Sequence, residues 1–226
     1  MSFYFSSLLK DISKDGMDIS MQLEFFFRAL SPWFITGFFY GEECFTASIN
    51  KNKTSRFGYA IRLAFQVESH SRDRELLESI QLFFLTGSII KSSYRETYQY
   101  KVKSREGLYI IIKHFYHYPL LTSKRQDFYF FSLLYDMICK EVPSTQKGFL
   151  HCLAIINNIN KPINSDKLLY FINTYGKLPE LILPPVTLSN CSLLIFKPWW
   201  IVGFICGEGS FTYYTKKYIG KSLVEK

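Results

Sequence analysis

The chain repeats one short motif. PWFITGFFYGEECFT, from Pro32 to Thr46, returns as PWWIVGFICGEGSFT from Pro198 to Thr212, and the two agree at nine of fifteen positions without a gap. Each copy reads as a helix that ends in an acid and runs into a strand. Proline opens each helix, where its missing N–H costs nothing, and Ser31 stands ahead of the first copy as a cap. Inside each helix two glycines lie four apart, Gly37 with Gly41 and Gly203 with Gly207. A glycine costs a helix interior about 1 kcal/mol against alanine, and a spacing of four puts both on one face. Small residues so placed let two helix backbones approach closely. The helices end one residue later, at Glu42 and Glu208. Packed side by side, they bring two carboxylates together, a donor set for a divalent cation that serves phosphodiester chemistry.

At these residues the chain resembles the LAGLIDADG homing endonucleases and intron maturases. The nine-residue signature falls on ITGFFYGEE, Ile35–Glu43, and on IVGFICGEG, Ile201–Gly209. The resemblance continues to about residue 158 through Arg62–Val67, RDRELLESI and YPLLTSKRQDF. It implies an αββαββα unit with a four-stranded antiparallel sheet. It also implies that Glu42 and Glu208, with the main-chain carbonyls of Gly41 and Gly207, hold Mg²⁺ while water attacks a phosphodiester of each DNA strand. Lys124 matches the place of a basic residue near the scissile phosphate. Two positions depart from the family pattern. Tyr40 and Cys206 stand where Asp is common, and Glu43 where Gly is usual, at a helix end that favours a left-handed conformation.

Net charge is +8 and aromatic residues make up 18%. The charge suits a polyanionic partner without demanding one. The prominence of Phe, Tyr, Ile, Lys and Asn reads as an AT-rich gene of the organellar kind, and the acids Asp11, Asp15, Asp18 and Glu24 are unlike a transit peptide. The expected location is therefore a mitochondrion that also makes the protein. Five cysteines form no CxxC pair, which fits a reducing compartment. His114 and His117 have no companion ligands and read as packing or surface residues. No apolar run reaches the ~20 residues of a membrane span, so no membrane partner is expected.

Residues 1–31 read as an extension, with a helix over Leu23–Leu30. After the first signature Phe45, Ala47 and Ile49 alternate with polar residues, then Ile61, Leu63, Phe65 and Val67 do the same; period two marks half-buried strands. A helix follows from Ser71 through Phe84. A second hairpin takes Gly87–Ser93 and Thr97–Ser104, and Ser104 caps a helix over Glu106–Tyr116 that Pro119 ends. Lys124–Glu141 and Thr145–Asn157 complete the unit, which is α+β in class. The stretch 159–197 holds Pro162, Pro179, Pro184 and Pro185 and reads as linker with a modest helix over Ser165–Tyr175. The expected domains are thus 32–158, the first repeat, and 198–226, the opening of a second repeat whose remainder is missing.

The alternation predicts a polar sheet face bearing Thr46, Ser48, Asn50, Arg62, Gln66, Gln99, Lys101 and Lys103, beside a basic turn with Lys51, Lys53 and Arg56. Amide and guanidinium groups read base edges and lysines neutralise phosphate. The expected function is a site-specific, Mg²⁺-dependent endonuclease on double-stranded DNA. Two other readings stay open: a maturase that binds intron RNA by shape, and an inactive, truncated product. Residues 199–226 alone bury too little to fold. They are expected to pack on the first signature helix, on a partner chain, or on a missing C-terminal repeat.

Overall fold

A computed structural model describes residues 30–40, 44–120, 122–159, 162–181 and 197–208. Helix α1, Pro32–Phe38, leads into strands β1, Phe45–Lys51, and β2, Tyr59–His70. Helix α2, Arg74–Phe84, separates them from β3, Ser88–Lys91, and β4, Thr97–Val102. Helices α3, Arg105–His117, α4, Thr122–Cys139, α5, Gln146–Ile156, and α6, Ser165–Tyr175, follow, and α7 is Pro198–Glu208. The sheet is antiparallel in the order β1-β2-β4-β3. The α+β class and the four-stranded sheet agree with the sequence reading.

Several boundaries moved, each for a local reason. Helix α1 stops at Phe38, short of the expected acid, because its last turn tightens: the Tyr40 N–H donates to the Gly37 carbonyl and Phe39 turns its ring into the core. Ser31 occupies the cap position, yet its hydroxyl makes no capping bond. Gly87 and Ser104 are not strand residues. Gly87 takes φ +87° ahead of β3, and Ser104 caps α3 by accepting the Gly107 N–H at 3.1 Å. Helix α4 ends two residues early, because Glu141 adopts φ +55°, a left-handed conformation that stops a helix. Thr145, expected to open α5, caps it instead, accepting the Gly148 N–H. The expected helix over Leu23–Leu30 lies almost wholly outside the described residues.

The core sits between one sheet face and the helices. Phe39 just past α1, Phe45 from β1, Phe65 from β2 and Phe115 from α3 are all nearly solvent-free, with neighbouring ring centroids 4.8–6.3 Å apart. Edge-to-face pairs of this kind add about 0.5–1.5 kcal/mol beyond their buried area. The strand alternation read from the sequence delivers these side chains, together with Leu63, Val67, Tyr100 and Val102, to one face.

The stretch assigned to linker is not spacer throughout. Helix α6 docks on the β1–β2 hairpin and α5. Its Phe171 is fully buried against Tyr59 and Phe149, and its Tyr175 hydroxyl donates to the Phe57 carbonyl at 2.8 Å. Lys167 Nζ donates to the Ile49 carbonyl at 2.6 Å, covering part of the β1 edge, which would otherwise offer free backbone groups. Proline content marked a boundary, but Phe171 and Tyr175 at i, i+4 decided the packing. Phe171→Ala should destabilise the first unit by about 3–5 kcal/mol, measured by urea unfolding. A loss below about 1 kcal/mol would mean that α6 is an ornament.

Candidate helix-end site and nucleic-acid interface

The two signature helices touch backbone to backbone. A Cβ on Gly37 would stand 2.1 Å from the Trp200 carbonyl oxygen, and one on Gly203 would stand 2.1 Å from that of Phe34. One turn further, a Cβ on Gly207 would lie 2.7 Å from the Phe38 carbonyl oxygen. The contact is reciprocal and continues toward the C-terminal ends of both helices. Only glycine permits it, which gives the glycine spacing its structural reason. Gly41, Glu42 and Glu43 lie outside the described residues; Glu208 closes α7.

Tyr40, at the position where the signature departs from its usual Asp, is part of this interface. Its ring meets those of Trp200 and Phe204 edge-on at 5.5 and 5.3 Å. The departure therefore substitutes aromatic packing between the helices for a charge. Helix α7 is apolar all round and leaves Trp199, Val202 and Ile205 on its outer side, 47, 38 and 37% exposed. An all-apolar helix is ordinarily covered on more than one side.

On its other side α1 meets the end of α3. Thr36, with no solvent exposure, sits 3.2 Å from His114 Nε2, and its hydroxyl donates to the Tyr118 carbonyl at 3.1 Å. Trp33, one turn earlier, meets the Tyr118 ring edge-on at 5.3 Å. His114 is walled by Phe83, Phe84 and Phe115. Burial, with a smaller contribution from His117, pushes its pKa down to about 3, so the ring is neutral. The sequence reading that His114 packs rather than ligates agrees with this. Among the described residues no three His, Cys, Asp or Glu side chains cluster as metal ligands.

Lys124 lies in the first turn of α4, partly buried. Phe128, one turn on, contacts Phe45 at 5.6 Å, so this turn stands beside the start of β1, just after the first signature. The two ends are brought together although 78 residues separate Lys124 from Thr46 (124 − 46).

The outward sheet face is built as the alternation predicted. Register pairs Thr46 with Ala64, Ser48 with Arg62, and Gln66 with Lys101, which also pairs with Ser88. Lys103 continues the alternation one residue past β4 and is exposed. The small hydroxyls are partly spent on the sheet: Thr46 donates to the Ala64 carbonyl and Ser48 to that of Arg62, and Asn50 donates to the Ser48 hydroxyl. Lys101 has its pKa lowered, first by partial burial and then by Lys103, so the two ammonium groups already repel. Arg62, Lys103 and Arg105 also line a cleft of about 280 Å³ with Tyr135 and Cys139.

The basic turn is split relative to this face. Lys51 pairs with Tyr59, which puts it on the core-side alternation of β1, although it is exposed. Lys53 is exposed in the turn. Arg56 turns away: its Nη1 donates to the Ser144 carbonyl at 3.1 Å, and its guanidinium covers the Phe57 ring. Sequence reading missed Glu68, His70, Ser88, Ile90 and Thr97, which share the outward face by register. Glu68 accepts from the Thr97 hydroxyl. For Glu68 and His70 the signal was the full length of β2, hidden because its apolar alternation fades after Val67; Ser88, Ile90 and Thr97 take this face through their pairing with β4 and β2.

A family model described as LAGLIDADG endonuclease matches residues 35–135. A probable intron-encoded endonuclease of Neurospora crassa is 30% identical over 183 residues, which are 80% of this chain and 33% of that protein. An uncharacterised protein in ND4 intron 1 of Podospora anserina is 38% identical over 104 residues, 45% of this chain and 23% of that protein. Among solved structures, I-SmaMI bound to an uncleaved DNA target in the presence of calcium ions superposes with a TM-score of 0.72 at 30% identity. That match covers 84% of this chain and 62% of I-SmaMI. The chain thus spans about a third of the first curated relative and three-fifths of that structure's chain.

Proposed function

Because this chain belongs to the LAGLIDADG endonuclease family, we propose that it works as a site-specific, metal-dependent endonuclease on double-stranded DNA. The observation that carries the reading is the glycine-only contact between α1 and α7. It brings α7, which ends at Glu208, against α1, beyond whose last residue the signature carries Glu42.

The donor set at those ends is all oxygen: two carboxylates and the carbonyls of Gly41 and Gly207. Hard oxygen donors fit Mg²⁺ or Ca²⁺ and exclude a preference for soft metals. Glu42, Glu208, Gly41 and Gly207 would hold the cation. When bound, it polarises a phosphoryl oxygen and lowers the pKa of water. A carboxylate at the C-terminus of α7, where Glu208 stands, is otherwise unfavourable by about 0.3–1 kcal/mol, which a cation offsets. Lys124 beside the start of β1 stabilises charge that develops on the phosphate and orders water near it. Mg²⁺ is the physiological cation in this reading.

The sheet face supplies recognition. Arg62, Gln66 and Gln99 are the base readers, and Lys101 and Lys103 neutralise phosphates, with Thr46, Ser48 and Asn50 on the same face. Arg56 is dropped from this set because its guanidinium is committed to Ser144. We further propose that residues 198–226 open a second repeat and that the protein is mitochondrial. The ND4 intron relative supports the latter.

Replacing Lys101 and Lys103 by Ala tests the face. Each lost phosphate contact should lower the slope of log affinity against log salt by about 0.9, so the double variant should lose roughly twice that. Filter binding across a salt series measures it. An unchanged slope would remove the sheet from the interface.

A further inference from the structure

We propose that the cleft between β2, the start of α3 and the last turn of α4 seats a backbone phosphate of duplex DNA, with Arg105 as its principal cation. This inference rests on the DNA reading above and carries the interface past the end of the sheet.

The cleft exists because β4 is short. Its pairing with β2 ends at Phe65 and Val102, so β2 from Ala64 back to Tyr59 has no strand beside it on that side. The chain turns at Ser104 into α3 instead. Across the gap the Tyr135 hydroxyl donates to the Arg105 carbonyl at 3.1 Å and ties α4 to α3. What remains open is the space of about 280 Å³ lined by Arg62, Lys103 and Arg105.

Its charge calls for an anion. No acid lines it; the exposed Glu106 and Asp136 flank the same helices but stand outside the cleft. Burial, with the Cys139 thiol beside it, pushes the Tyr135 phenol up to about 12, so that group stays neutral at pH 7. Other arginines are already committed: Arg56 to the Ser144 carbonyl, Arg72 to His70 and Arg74 to Glu78. Among the described residues, Arg62 and Arg105 hydrogen-bond only through their main chains. Their guanidinium groups keep donors whose fork matches two phosphate oxygens. Continuity with the sheet face selects DNA over a free anion, because Arg62 and Lys103 belong to both. Along β2, Arg62 lies four residues from Gln66, 66 − 62. That is about 13 Å at the rise of a strand, so the phosphate held here flanks the bases that the glutamines face.

Arg105→Ala tests the site and leaves the tie to Tyr135 in place, since that bond goes to the main chain. The probe is a mixed-sequence DNA duplex, bound by the full chain across a salt series. Losing one phosphate contact should lower the slope of log affinity against log salt by about 0.9. Affinity at low salt should fall roughly tenfold, the scale of a hydrogen bond to a charged group. Arg105→Lys should restore the slope. A second measurement is local. Cys139 lines the cleft, so the duplex should slow alkylation of its thiol by iodoacetamide, scored by peptide mass spectrometry. At equal occupancy by DNA, Arg105→Ala should reduce that protection.

Three results would overturn the proposal: an unchanged salt slope in Arg105→Ala, alkylation of Cys139 that the duplex does not slow, or protection by inorganic phosphate as complete as by the duplex. Should Arg105→Ala fail to fold, Arg105→Gln, which keeps the length of the side chain, decides by the same measurements. Lys101→Ala separates the cleft from the reading beneath it, because Lys101 pairs with Gln66 on the sheet face and does not line the cleft. If Lys101→Ala lowers the slope and Arg105→Ala does not, only the cleft is wrong. If neither lowers it, the sheet face is wrong as well.

Discussion

Gly203→Ala, one added methyl group, should undock α7 from α1. The new Cβ would fall 2.1 Å from the Phe34 carbonyl oxygen and 2.9 Å from the Phe38 nitrogen. Both are backbone atoms of a helix, so no side-chain rotamer relieves the clash, and the helices must part. Alanine gains about 1 kcal/mol in helix propensity over glycine. Overpacking typically costs about 1–3 kcal/mol, and here parting the helices also forfeits the contacts of Tyr40 with Trp200 and Phe204. The loss exceeds the propensity gain. Limited proteolysis provides the reading: α7 should become sensitive while residues 44–159 stay resistant. Gly37→Ala, which meets the Trp200 carbonyl oxygen, should give the same pattern. The two losses should not add, because either one opens the same interface. A chain that gains stability by the propensity increment and keeps α7 protected would refute the close contact.

Glu42→Gln should remove cleavage and leave DNA binding nearly unchanged. Glutamine keeps the size and the hydrogen-bonding oxygen but lacks the charge proposed to hold a divalent cation. Cation stabilisation of phosphodiester chemistry is worth several kcal/mol, and each 1.36 kcal/mol is tenfold in rate, so the expected loss is at least about a hundredfold. Glu208→Gln should do the same to cutting of the other strand. Neither change touches Arg62, Gln66, Gln99, Lys101 and Lys103, the residues proposed to contact DNA, so affinity in Ca²⁺ should move little. Nicking and double-strand cutting of a target plasmid, scored separately under single-turnover conditions, distinguish the two acids. Site-specific cutting of both strands that survives Glu42→Gln would sink the mechanism. The match of this chain to about a third of its curated relative's length makes the second prediction the more demanding: it asks whether these residues suffice to grip both strands.

What the sequence determined by itself was whatever repeats at short range. Period-two alternation assigned Phe45, Leu63, Phe65, Tyr100 and Val102 to the core and their neighbours to the outward face, because a strand has only two sides. Ser104 capped its helix because a hydroxyl three residues ahead of a free N–H needs no tertiary help. The glycine spacing gave away the helix interface, since glycine is costly in a helix unless a neighbour comes close. Only the tertiary structure decided the rest. Phe171 joined the core because Tyr59 and Phe149, far away in sequence, left room for it. Arg56 turned toward the Ser144 carbonyl because it lay within reach. Tyr40 became an interface residue through contact with Trp200 and Phe204. Thr36 and His114 found each other across 78 residues of chain, 114 − 36. Local propensity is a property of neighbours along the chain, whereas these partnerships depend on which surfaces the fold presses together. No spacing rule in the sequence encodes that.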